Sequence, residues 1–109
     1  RRLHYTREGS KMLTEETIRV EVTHRDITRA NPDYCPITLA LSRTLNESPD
    51  NIQVQNKLAW VFDDHDQKKE IYSYDDDSIV ISFLDNWERY MCGLNEHFDP
   101  IQFSLIRRQ

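Results

Sequence analysis

A length of 109 residues is enough for one domain with its own core, and the 38% of hydrophobic residues occur in periodic blocks that support one. The chain contains only two glycines and four prolines, and this low content excludes a low-complexity or linker-like chain. The lack of an apolar run of about 20 residues argues against a transmembrane helix. The net charge of −5 disfavours direct binding to nucleic acid or to an anionic membrane.

The charge is unevenly distributed along the chain. Residues 1–11 contain four basic residues against one glutamate, so residues 12–109 carry a net charge of −8. The first segment has neither hydrophobic periodicity nor the apolar stretch of a secretory signal, which predicts a flexible basic extension at 1–11 and a single cytoplasmic domain at 12–109. Cys35 and Cys92 form no CxxC pair, so neither a zinc site nor a disulfide framework is indicated.

Hydrophobic periodicity and turn residues predict eight elements. Alternating apolar residues indicate strands, and apolar stripes at three- and four-residue spacing indicate helices. Thr23 with Asp26 has the spacing of a capping box, Pro36 suits the first position of a helix, and Gly93 suits a helix C-terminus. The predicted elements, in order, are a strand over Thr17–Thr23, helices over His24–Ala30 and Pro36–Asn46, strands over Ile52–Gln55, Leu58–Phe62 and Glu70–Tyr74, a helix over Ser78–Cys92 and a strand over Ile101–Leu105.

One stretch of this pattern allows two interpretations. Every even position from Ile52 to Phe62 except Asn56 is apolar, which fits one long strand. A hairpin with Asn56-Lys57 as its two-residue turn is preferred, because asparagine tolerates the positive φ that such turns require. The resulting order β-α-α-β-β-β-α-β predicts an α+β fold, with a small mixed, mainly antiparallel sheet and helices packed on one face.

Three segments resemble a set of uncharacterised short proteins from bacteriophages and prophages. They are the stretch Cys35-Pro-Ile-Thr-Leu-Ala-Leu41, the helix with Phe83-Leu84 and Trp87, and the ending Pro100-Ile-Gln-Phe-Ser-Leu105. In that set, a Cys-Pro-Ile-Ala-Leu-Ala-Leu stretch follows a first strand, and a Pro-Phe-x-Phe-x-Leu strand closes the chain. The resemblance spans residues 17–106 and implies a phage origin, but it assigns no activity and no binding residues.

Two acidic clusters bracket the predicted strand over Glu70–Tyr74. If they lie together, their six carboxylates could hold a hard cation, although lysines sit among them and the spacing matches no EF-hand loop. Loop solvation and stabilisation of the positive helix N-terminus explain the same residues without a metal. Because the clusters are local, they predict an acidic edge that binds a basic protein surface rather than a mimic of nucleic acid. The predicted edge consists of Asp63, Asp64, Asp66, Asp75, Asp76 and Asp77.

The second predicted surface is a sheet face that is nearly free of charge. If the even residues of 52–62 and Ile71 point towards the helices, neutral side chains line the opposite face. Interface cores are depleted in charge and enriched in aromatic residues, so this face predicts contact with a partner protein or a homodimer. A solvated face of neutral polar residues is the alternative. The predicted contact residues are Gln53, Gln55, Val61, Tyr72, Tyr74, Gln102 and Ser104, with Ala59 and Ile106 beside them.

Cys35 is the candidate nucleophile that the sequence singles out. The dipole of a helix activates a cysteine at its N-terminus towards the thiolate, and His24 would serve as the partner base. Burial beneath the helix entry is the favoured explanation, because free cysteine is among the most buried residue types. No Walker, GxSxG, HExxH or CxxC motif occurs, so no catalytic residue, metal or cofactor is predicted.

Together these features favour a non-enzymatic protein-interaction module that acts through the acidic edge and the neutral sheet face. The resemblance to phage proteins suggests a modulator or inhibitor of a host or defence protein. The first alternative is a self-assembling structural protein of a virion, and the second is a cysteine- or metal-dependent enzyme. The expected partner is another protein or a second copy of the chain, without nucleic acid or membrane.

Overall fold

The computed structural model describes residues 16–94 and 99–108, so the predicted extension at residues 1–11 lies outside the described residues. Within these ranges the predicted α+β fold and its order of elements are confirmed. A single turn of 3₁₀ helix over Pro49–Asn51 is added before the second strand. The elements are β1 (Thr17–Val22), α1 (His24–Arg29), α2 (Pro36–Leu45), β2 (Ile52–Val54), β3 (Leu58–Phe62), β4 (Lys68–Tyr74), α3 (Asp77–Met91) and β5 (Ile101–Arg108).

The five strands form one sheet in the order β1-β5-β4-β3-β2. Each neighbouring pair of described strands is antiparallel, so the parallel pairing of a mixed sheet does not occur among them. The last strand of the chain inserts between the first strand and β4, where it pairs with both. The first and last elements of the described chain are therefore neighbours, and β1 and β2 are the two edge strands.

β2 and β3 form the predicted hairpin. The Gln55 amide donates to the Leu58 carbonyl at 2.9 Å, which leaves Asn56-Lys57 as the two-residue loop. Val54 pairs with Ala59, and residues directly opposite each other share one face of a sheet. The inward positions therefore change from even numbers in β2 to odd numbers in β3. The prediction that even residues face the helices throughout 52–62 is wrong for β3.

The predicted caps set the boundaries of the helices. At the start of α1 the Thr23 hydroxyl accepts from the Asp26 amide at 3.2 Å, and the Asp26 carboxylate accepts from the Thr23 amide at 2.9 Å. The same buried carboxylate receives Arg43 of α2 at 2.6 Å, which ties the two helices together. α2 ends at Asn46 with φ of 57°, and Gly93 follows α3 with φ of 78°. Both residue types tolerate this left-handed conformation.

The core lies between the helices and one face of the sheet. α2 contacts β1 and β2 at the two edges, while α3 contacts β4 and β5 in the middle. The buried residues of these helices and strands form one cluster, as helices packed on one face require. Among the described residues, none of the helices has the length and apolar character needed to cross a membrane. The largest fully buried side chains include Tyr72, Phe103, Ile37, Leu41, Leu105 and Val20.

Candidate functional site: the open sheet face

The face of the sheet turned away from the core, called the open face below, carries five apolar side chains on three adjacent strands. In the register of the sheet, a tryptophan of β3 pairs with an isoleucine of β4, and the other members are their neighbours along or diagonally across the strands. All five are partly exposed, whereas the buried residues of the helices belong to the core on the other side. We call this set the apolar strip; it consists of Leu58, Trp60, Phe62, Ile71 and Ile106.

Trp60 is the centre of the apolar strip. Its ring meets the Phe62 ring edge-on, with 6.2 Å between centroids and 74° between planes. The Lys68 ammonium lies 3.7 Å from the centroid of the Trp60 ring. A cation over an indole contributes about 0.5–1 kcal/mol at an exposed site. The tryptophan is thus held between an aromatic edge and a positive charge.

The indole N–H of Trp60 is buried and has no acceptor among the residues that the structure describes. Leaving a buried donor unpaired costs about 1–3 kcal/mol, and such groups are rare in folded proteins. An acceptor from outside the described residues would remove this cost. Within the described part of the chain, the N–H of Trp60 is therefore an unsatisfied polar group of the apolar strip.

The charged residues of the open face are mainly basic although the chain is acidic. Lys68 covers the tryptophan, Arg108 of β5 donates to a serine of β4 at 2.9 Å, and Arg19 of β1 hydrogen-bonds to a glutamine of β5. Glu21 is the acidic residue among the described strand residues of this face. Among the described strand residues, three cations against one carboxylate give the open face a charge opposite in sign to the chain's −5. The prediction of a nearly charge-free face is wrong on this point, because β1, Lys68 and Arg108 contribute to it.

Four of the seven residues predicted for the neutral face lie on this side of the sheet or at its end. Gln53, Gln102 and Ser104 belong to the open face, as their pairing partners show. Gln55 is exposed directly after β2. Ser104 is nearly buried, and its amide donates to the Asp75 carboxylate at 2.9 Å. These polar residues frame the apolar strip instead of forming its centre.

The other three predicted residues, Val61, Tyr72 and Tyr74, are in the core. They are 1%, 2% and 6% exposed, so they cannot form a surface contact. The reason is that the inward-facing positions change from even residue numbers in β2 to odd residue numbers in β3. Since Ala59 pairs with Tyr72, these side chains share the helix-facing side, and alternation turns Ile71 outward. The prediction for these three residues is therefore corrected.

Both buried tyrosines find partners for their hydroxyl groups. The Tyr74 hydroxyl donates to the Gln55 carbonyl at 2.7 Å at the base of the hairpin. The Tyr72 hydroxyl donates to the Glu70 carboxylate at 2.7 Å, and Arg107 also pairs with that carboxylate. Burial raises the pKa of both phenols above the ordinary value, and for Tyr72 the hydrogen bond to Glu70 adds to the rise. Their role is in the stability of the core.

The two predicted acidic clusters lie at opposite ends of β4. Asp63, Asp64 and Asp66 belong to the loop before this strand, and Asp75, Asp76 and Asp77 follow it. A strand of this length spans about 20 Å at about 3.3 Å per residue, so the clusters do not form one acidic edge. Among the described residues no group of three histidine, cysteine or acidic side chains is placed to hold a metal ion.

Several of these aspartates have structural partners. Asp63 accepts from the amides of His65 and Gln67 at 2.8 and 3.0 Å, which closes the loop between β3 and β4. Asp76 accepts from the Ser78 amide at 3.1 Å and so caps the N-terminus of α3. The capping that was the alternative explanation for this cluster is thus present in the structure.

Cys35 precedes α2 as its N-cap residue and is partly buried. Its sulfur lies 3.3 Å from the hydroxyl of Thr38, which is a hydrogen-bond contact. The predicted partner base, His24, is an exposed residue at the start of α1. The observed contact is that of a thiol packed at a helix entry, and it brings no base to the sulfur.

A second apolar surface lies on α3, on the helix side of the sheet. Ile81 and Met91 are 38% and 43% exposed, and they line a groove of about 650 Å³ together with Leu84 and Trp87. Glu88 is at its border. This groove is separate from the open face and offers matched positions for control substitutions.

Comparisons with known protein families, with curated proteins and with solved structures find no match for this chain. The candidate site is therefore identified from the geometry of the structure alone. Sequence reasoning missed Trp60, Phe62 and Lys68, because the even-position pattern assigns the two aromatic residues to the core. The available signal was the turn at Asn56-Lys57, since the pairing across a two-residue loop determines which positions of β3 face inward.

Proposed function

We propose that this domain binds a partner protein through the open face, with the apolar strip at the centre of the contact. The observation that carries the proposal is the strip itself, which joins five partly exposed apolar side chains outside the core. Contiguous apolar surface with a polar border is typical of protein contact sites. Aromatic residues such as Trp60 and Phe62 are enriched at the centres of such contacts.

The size of the face suits a modest interface. Five strands of three to eight residues, at about 3.3 Å per residue and about 4.8 Å spacing, give an area of about 460 Å². A stable complex of standard size buries about 800 Å² on each partner. The open face supplies more than half of that area, so we expect a reversible complex that extends onto the neighbouring loops.

The charge of the open face argues for a different protein rather than a second copy. A symmetric dimer through this face would bring together two surfaces of the same net positive charge, and like charges across an interface weaken binding. Self-assembly through the open face is therefore the less favoured function. The resemblance to short phage proteins makes a host or defence protein the expected partner.

Affinity capture with matched variants tests the proposal. The full chain is immobilised and exposed to an extract of the natural source or its host, and captured proteins are measured by quantitative mass spectrometry. Phe62→Ser removes an aromatic ring from the open face, and Met91→Ser removes an exposed apolar side chain from α3. We expect the specific captured protein to fall at least about tenfold with Phe62→Ser, a loss of about 1.4 kcal/mol in binding, and to persist with Met91→Ser.

Circular dichroism and thermal melting establish that both variants are folded. Retention of all captured proteins by Phe62→Ser would refute the open face as the binding surface. Loss with Met91→Ser alone would place the contact on α3 instead.

A further inference from the structure

The positive charges of the open face lie beside its apolar centre. The Lys68 ammonium sits over the Trp60 ring, and Arg108 is the direct cross-strand neighbour of Ile71. An apolar side chain seated on the strip would therefore lie close to both cations. Exclusion of water by that side chain strengthens pairing between these cations and a carboxylate next to it.

From this arrangement we infer that the open face recognises an acidic protein segment, in which an apolar anchor residue stands next to carboxylates. The inference rests on the proposed function and adds the chemistry of the partner.

The acidic clusters limit the length of that segment. Asp63 and Asp64 follow β3 at one end of the sheet, while Asp75 and Asp76 follow β4 at the other end, about 20 Å away. A continuous polyanion that runs along the open face would meet carboxylates at both ends. A short segment keeps its own carboxylates beside Trp60 and Ile71, where Lys68 and Arg108 lie.

The same geometry disfavours nucleic acid. Nucleic-acid binding depends on many cations that neutralise successive phosphates, and the net charge of −5 opposes a phosphate chain. The three cations of the open face are enough for an acidic peptide with one apolar anchor. Electrostatic complementarity of this kind mainly determines which partner is accepted.

Selection from a random library of 12-residue peptides on the immobilised full chain tests the inference. Recovered peptides are sequenced, and their retention is measured on three variants. Lys68→Glu with Arg108→Glu reverses the charge of the open face, and Phe62→Ser removes its aromatic edge. The matched control, Arg25→Glu with Arg29→Glu, makes the same change in net charge at exposed positions of α1.

We expect aspartate and glutamate beside aromatic or aliphatic residues to be enriched at least about threefold over the starting library. Reversal of Lys68 and Arg108 is expected to lower retention by about tenfold or more, which corresponds to about 1.4 kcal/mol. The control pair is expected to change retention by less than about twofold, because α1 packs on α2 on the helix side of the sheet, away from the strip.

Each other outcome decides between the two proposals. If retention of the recovered peptides requires Phe62 but the peptides are not acidic, the inference of an acidic partner would be overturned and the open face would remain the binding surface. Peptides that are indifferent to both open-face variants, or no enrichment over a blank surface, would overturn both. Binding of a 20-nucleotide thymidine oligomer that is lost with the charge reversal would identify nucleic acid instead. Self-association in light scattering that is lost with the same reversal would identify a second copy.

Discussion

The two faces of the sheet differ in the number of apolar side chains they carry and in how their buried polar groups are satisfied. On the core face the buried phenols of Tyr72 and Tyr74 each donate a hydrogen bond within the chain. On the open face the buried indole N–H of Trp60 has no acceptor among the described residues, and basic side chains border the strip. Apolar content, hydrogen-bond satisfaction and charge therefore all distinguish the core face from the open face.

The largest expected contrast is in the free energy of unfolding. Phe103 is 2% exposed and meets the Tyr74 ring edge-on with 5.5 Å between centroids. Phe103→Ala is expected to cost about 3–5 kcal/mol, because it removes buried surface and leaves a cavity. Ile106→Ala on the neighbouring open-face position is expected to cost no more than about 1.5 kcal/mol, because this side chain is already partly exposed.

Urea denaturation measures both values, and Phe103→Leu replaces the alanine variant if that variant does not fold. If Phe103→Ala and Ile106→Ala lowered the free energy of unfolding equally, the proposed difference between the core face and the open face would be contradicted.

The dependence of stability on alkaline pH tests the burial of the two core-face tyrosines. The folded state holds the protons of Tyr72 and Tyr74 more tightly than the unfolded state, since burial raises the pKa of each. The stability they contribute is therefore complete below the ordinary tyrosine pKa of about 10, and it decreases as the pH rises above that value. Urea midpoints between pH 8 and pH 11 are expected to fall as the pH rises, and absorbance at 295 nm is expected to show late ionisation of at least two of the five tyrosines, Tyr72 and Tyr74.

Tyr72→Phe and Tyr74→Phe are each expected to flatten that decrease. Ionisation of all tyrosines near pH 10 without loss of stability would place these phenols on the surface and contradict the observed register.

A smaller effect is expected from Trp60→Phe. The substitution removes the unpaired indole N–H together with some apolar area, so the two contributions oppose each other. We expect the free energy of unfolding to change by less than about 1 kcal/mol in either direction. A loss above about 3 kcal/mol in chemical denaturation would show that Trp60 belongs to the core, as the even-position pattern predicts.

The smallest expected change in stability is that of Lys68→Glu. The side chain is exposed, and its contact with the Trp60 ring contributes little when solvated. We expect the melting temperature to change by less than about 3 °C, in line with a surface substitution of about 0.5 kcal/mol. A larger fall would mean that the lysine holds the strip together, and its effect on binding would then be indirect.

Local features of the fold were predictable from the sequence. The capping box at Thr23 and Asp26, the loop at Asn56-Lys57 and the glycine after α3 each depend on residues within one turn of each other. The sequence signal for these features is short-range, and the structure confirms all three.

The features that depend on pairing across the sheet were not predictable in the same way. The insertion of β5 between β1 and β4 is a long-range choice that no local pattern specifies. The direction of Tyr72 depends on its pairing with Ala59, and a shift of one residue would reverse it. The separation of the two acidic clusters follows from the full length of β4, which begins two residues earlier than predicted.

The most direct test of the open face as the binding surface is photo-crosslinking from single positions in cells of the natural source or its host. Benzoylphenylalanine replaces Phe62 on the open face in one variant and Met91 on α3 in a second variant of the full chain. We predict a discrete, light-dependent covalent complex with another protein from position 62 and none from position 91. A complex from position 91 alone, or from neither position, would contradict binding through the open face.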